Sequence, residues 1–99
     1  MGRQGESKLS GGIIKALNRM PHTFAWKNHG SEFTLAGLPD IVVCHRGLFI
    51  ALETKMPGQR DNVSPVQQVV HQQLREAGGR IHVVCSIAEA VDAIQKLPH

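Results

Sequence analysis

The sequence predicts a mixed α/β fold of order α-β-β-β-α-β-α, and three observations predict it. Residues 41–52 alternate in character about a tight turn, as an antiparallel hairpin does. Ser64-Pro65 opens a helix that Gly78-Gly79 closes, and a strand-like run, Arg80 to Cys85, follows at once. A helix placed between two strands is the crossover that a parallel pair needs. The sheet is therefore expected to be mixed, with its second and third strands forming the hairpin.

The chain opens with a predicted helix over residues 6–20, in which Glu6, Leu9, Ile13, Leu17 and Met20 recur at spacings of three and four. Gly11-Gly12 weakens its middle, which suits a bend or a close approach by another element, and Pro21 ends it. Glu6 lies in line with the apolar stripe, where a carboxylate either serves the helix N-terminus or is aimed into the fold. Residues 22–29 read as the first strand, with Phe24 and Trp26 on one face and Lys27 with His29 on the other. Trp26 is expected in the core. Lys27, Asn28 and His29 suit either a phosphate backbone or a solvated strand end. A loop over residues 30–37 leads to Pro39.

In the hairpin, Arg46-Gly47 is the two-residue turn, so paired residue numbers sum to 93 and His45 faces Leu48. Asp40 then falls opposite Glu53, where side chains of an antiparallel pair lie about 4.5–5.5 Å apart at Cβ. Lys55 points to the same side as Glu53. Ile41, Val43, Leu48, Ile50 and Leu52 form a core face. Val42, Cys44, Phe49 and Ala51 form the other, which ends in Asp40, Glu53 and Lys55. Two carboxylates at that distance repel, and a hard divalent cation resolves the conflict because Mg²⁺ takes oxygen ligands from one or two carboxylates. An ordinary ion-pair cluster at a sheet edge is the alternative.

Pro39-Asp40, a spacer of twelve residues, and Glu53-Thr54-Lys55 resemble the signature of the PD-(D/E)XK nuclease superfamily. Gly37-Leu38-Pro39-Asp40 with a short hairpin and Glu-x-Lys, in so small a chain, is most similar to the VRR-NUC family. The resemblance implies a restriction-endonuclease-like αβββαβ core with an extra C-terminal helix. It implies a metal-dependent DNA endonuclease acting on branched DNA, with Holliday (four-way) junctions first. Asp40, Glu53 and the Thr54 carbonyl would hold Mg²⁺ or Mn²⁺, Lys55 would act on the water or the phosphate, and Glu6 would join the inner or outer ligand set. Gln67 is a site residue in that pattern. Its place three after Ser64 also gives it a capping-box role, and His71 lies four further on the same face. The small stand-alone members imply a homodimer.

The loop after Lys55, Met56 to Val63, carries Arg60 and suits either a DNA contact or a plain connection. In the second helix Val66, Val69, Val70, Gln73-Leu74 and Ala77 are the expected buried stripe. Ser86 and Glu89 start the last helix, whose inward residues are Ile87, Ala90, Val91 and Ile94, and Pro98 ends it.

The 99 residues are expected to form a single domain, 1–99. No apolar run nears the ~18 residues of a membrane span, and the N-terminus has no signal-peptide core. A cytoplasmic protein is expected, with Cys44 and Cys85 as buried free thiols rather than a disulfide or zinc site. Net charge is +3, compatible with a polyanionic partner. Lysines and arginines are scattered, so Lys27, Asn28 and Arg60 are the candidates for DNA contact. Cutting at flaps, nicks or restriction-like sites is the nearest alternative. A non-catalytic nucleic-acid-binding module is the other.

Overall fold

The computed structural model describes residues 2–29 and 35–98, with the side chains of residues 2–4 excluded. Most of the predicted loop over 30–37 thus lies outside the described residues. The element order is α1 (Gly2–Asn18), β1 (Thr23–Lys27), β2 (Ile41–His45), β3 (Leu48–Thr54), α2 (Pro65–Glu76), β4 (Arg80–Val84) and α3 (Ile87–Gln95). The sheet order is β1-β2-β3-β4; the first two pairings are antiparallel and β3-β4 is parallel. α1 begins about a turn earlier than its apolar spacing indicates.

The hairpin register is as the sequence predicts, from Ile41↔Leu52 to His45↔Leu48. Arg46 and Gly47 both have positive φ, +51° and +83°, as a tight two-residue hairpin turn requires.

One face of the sheet is closed by α1 and α3. Ile13 and Leu17 of α1 and Ala90 and Ile94 of α3 meet Ala25, Ile41, Val43, Ile50, Leu52 and Val84, all buried. Gly12 permits the two helices to approach, since a Cβ there would lie 2.8 Å from Ile87 Cδ1. Full burial of a Leu or Ile side chain stabilises by about 1.5–3 kcal/mol, so this cluster is the main anchor of the fold.

α2 covers only part of the opposite face. Three expectations fail there. Trp26 is 44% exposed and Phe24 64% exposed, because the small Ala25, not Trp26, is the residue β1 turns toward α1. Cys44 is exposed on the same open face and Cys85 half-buried, so the thiols are free but not buried. Val66 and Val69 face solvent, and α2 turns Gln67, Val70, His71 and Leu74 inward instead. The strip of sheet beneath α2 includes the buried acid Glu53. A buried acid needs a polar partner, which a row of valines does not offer. Among the described residues, no helix is long and apolar enough to cross a membrane.

Candidate active site

The site lies where β2 begins and β3 ends. Asp40 immediately precedes β2, held from behind by Asn28: its N–H donates to the Asp40 carbonyl (2.8 Å) and its Nδ2 to the Pro39 carbonyl (3.3 Å). The chain reaches Pro39 through Gly37, whose φ is +87° and whose added Cβ would stand 2.7 Å from the Val66 carbonyl. Only glycine suits both demands, and this contact seats the first turn of α2 against the approach to Asp40. Ser64 and Gln67 complete that turn as a reciprocal capping box.

Glu53 sits on an interior strand and is 1% exposed. Burial first, then a hydrogen bond to Asp40 and its like charge, push the Glu53 carboxyl up to about 9; Lys55 opposes the rise and Glu6 adds to it. Glu53 therefore holds its proton at neutral pH. His71 Nε2 stands 3.2 Å from Glu53 Oε1, both side chains being buried. Burial, with Arg75 and Lys55 nearby, lowers the His71 pKa. The contact is thus a hydrogen bond between neutral groups rather than an ion pair. Lys55 Nζ lies 3.5 Å from Gln67 Oε1, the same oxygen that accepts from the Ser64 N–H at 2.9 Å. The Gln67 side chain thus completes the cap and lies beside Lys55 at once.

Two participants escaped the sequence reading. Thr54 enters with its side chain and N–H as well as its carbonyl: both donate to Asp40 Oδ2, at 2.7 and 2.9 Å. Ser10 Oγ is 3.2 Å from Thr54 Oγ1 and 2.9 Å from the Glu6 carbonyl. Ser10 is buried within the apolar stripe of α1, and a small hydroxyl in such a stripe is the signal by which it could have been found. Glu6 is close enough for its charge to act on Glu53. Among the described residues no three His, Cys, Asp or Glu side chains gather to hold a metal by themselves. The donor set still fits a hard cation. Two carboxyl groups side by side offer the oxygens that Mg²⁺ or Mn²⁺ prefers, and water and phosphate complete such shells.

The proposed DNA contacts fare differently. Asn28 is engaged with Pro39 and Asp40, and Lys27 is half-buried at the end of β1. Arg60 pairs with Glu89 and donates to the Val83 carbonyl (3.0 Å), which pins the 56–63 loop across the end of β4.

The architecture is that of a restriction-endonuclease-like fold, with Asp40 and Glu53 at the open end of the β2–β3 hairpin. The chain is similar to a solved structure described as a VRR_NUC domain, with a TM-score of 0.71 and 22% identity, over 95% of this chain and 98% of that one. This likeness establishes the fold and agrees with the motif resemblance. No protein-family model and no curated protein matches the chain.

Proposed function

We propose that the chain acts as one nuclease domain, a divalent-metal-dependent endonuclease that hydrolyses DNA phosphodiester bonds, with four-way junctions as its preferred substrate. The observation that carries this reading is the pairing of half-buried Asp40 with buried Glu53, with Lys55 two residues beyond, in a fold shared with a VRR_NUC domain. Asp40, Glu53 and the Thr54 carbonyl would hold Mg²⁺ or Mn²⁺. When bound, such an ion supplies positive charge to the phosphate and acidifies a water molecule.

The chain's own residues do the positioning. Thr54 fixes Asp40 Oδ2, Asn28 fixes the Pro39–Asp40 peptide, and Gln67 steadies Lys55. The Lys55 ammonium then faces the charge that develops on the phosphoryl oxygens. Glu6 adds negative charge at the rim, which favours cation uptake. Cutting a four-way junction symmetrically calls for two sites related by a two-fold axis, so a homodimer belongs to this reading. The open apolar face of β1 and β2 is a surface of the kind that copies bury on association. A reducing cytoplasm suits the free Cys44 and Cys85.

The deciding experiment is cleavage of a labelled four-way junction beside a plain duplex, in Mg²⁺, Mn²⁺ and EDTA, with Glu53→Ala and Lys55→Ala as controls. Metal-dependent symmetric nicking of the junction alone, lost in both variants, is the expected result. Cutting of flaps or nicks instead changes the substrate and keeps the site. Failure of folded protein to cut any DNA in either metal refutes the nuclease reading and leaves a nucleic-acid-binding module.

A further inference from the structure

Each of the two carboxyl groups has its own hydrogen-bond partner, and the two partners come from different parts of the chain. Asp40 Oδ2 is held by Thr54, its neighbour across the hairpin. Glu53 Oε1 is met by His71, eighteen residues away on α2. His71 is one of only two residues of α2 that are fully buried. It lies four residues after Gln67, so one face of α2 reaches both Lys55 and Glu53.

We infer that His71 is a positioning residue: its Nε2–H donates to Glu53 Oε1 and so fixes the orientation in which Glu53 presents its other oxygen to the cation. The inference rests on the metal-site reading above and adds to it a named residue that touches neither ion nor DNA. A packing role alone does not account for the geometry. An imidazole that only filled space beneath α2 has no need to aim a nitrogen at a carboxyl oxygen, and an apolar side chain of similar size would fill it at lower desolvation cost. A buried acid without a fixed partner would have its rotamer set by packing alone, leaving ligand geometry loose. Hydrogen-bond partners of metal-binding groups typically contribute 10–100-fold in metal affinity. The gate into this arrangement is Gly37, which lets α2 settle close enough for His71 to reach the sheet.

The test is Mn²⁺ titration calorimetry on the full chain and three variants, His71→Phe, His71→Gln and His71→Asn, with circular dichroism to confirm folding. Glutamine carries its amide nitrogen near the position of Nε2, whereas asparagine reaches only that of Nδ1. His71→Phe and His71→Asn are expected to bind Mn²⁺ about 10–100-fold more weakly, and His71→Gln to recover most of the loss. Should His71→Phe fail to fold, the Gln and Asn variants decide between them. Equal Mn²⁺ affinity in wild type and the Asn variant overturns the inference, as does equal weakening in the Gln and Asn variants. Absence of Mn²⁺ binding by the folded wild type instead sinks the metal-site reading, and the inference falls with it.

Discussion

Thr54 donates twice to a single oxygen of Asp40, through its hydroxyl at 2.7 Å and its N–H at 2.9 Å. The backbone donor survives any substitution but proline, so the hydroxyl can be tested alone. Thr54→Val should remove it at nearly constant volume and cost about 1.5–3 kcal/mol, the range for a hydrogen bond to a charged group. Thr54→Ser should recover most of that. Urea denaturation measures the stability, and junction cleavage should fall in the valine variant alone.

The acidic pair makes metal-free stability depend on pH. The Glu53 carboxyl titrates near 4.5 when unfolded and about 9 when folded. Between those values the folded chain holds the extra proton, so stability is greatest at the acid end of the window and falls as pH rises, flattening above about 9. His71 and His82 are both lowered from 6.5, which acts in the opposite sense toward acid pH. The clean range is therefore from neutrality to about 9. Denaturation in EDTA should show the decline there, and saturating Mn²⁺ should abolish it because the ion displaces the proton. A flat EDTA profile would contradict the raised Glu53 carboxyl.

Two glycines with nearly equal φ should respond differently to alanine. Gly47, at +83°, has open space around it, whereas Gly37, at +87°, is backed by the Val66 carbonyl. Gly47→Ala should cost only the left-handed conformation, about 1–2 kcal/mol. Gly37→Ala should cost more and should also weaken junction cleavage, since it lifts α2 away from Asp40. Paired denaturation curves check the ranking, and equal losses would count against it.

The exposed aromatics separate folding from association. Trp26→Ala and Phe24→Ala should change monomer stability by less than about 1 kcal/mol, as both side chains are largely exposed. In sedimentation runs the same variants should shift a homodimer toward monomer. A large stability loss with unchanged assembly would reverse the assignment of that face.

What the sequence disclosed was mostly local. Alternation about Arg46-Gly47 set the register from Ile41↔Leu52 to His45↔Leu48, and that register brings Asp40 beside Glu53. Caps at Ser64 and Ser86 placed two helices. What it hid depended on partners distant in the chain. Periodicity put Phe24 and Trp26 on one face without saying which face α1 would choose, and α1 chose the small Ala25. For α2, apolar content pointed Val66 and Val69 inward. The need of Glu53 for a polar partner turned Gln67 and His71 inward instead, and that need is visible only once β3 and α2 meet. Ser10 was missed for the same reason, since its bond to Thr54 crosses from α1 to β3; the Thr54 hydroxyl bonds Asp40 across the hairpin, which strand alternation alone does not indicate.

One contact far from the site constrains how copies of this chain can join. Asn18 accepts the Ala25 N–H at 2.8 Å and donates to the Ala25 carbonyl at 3.0 Å, occupying both outward backbone groups at the middle of β1. β1 is an outer strand, and such strands invite pairing with another chain. With its centre already satisfied, this border cannot be continued into a sheet shared between molecules. An assembly that used this side of the molecule would therefore be built from side chains, and edge-to-edge pairing would be left to β4, the other outer strand.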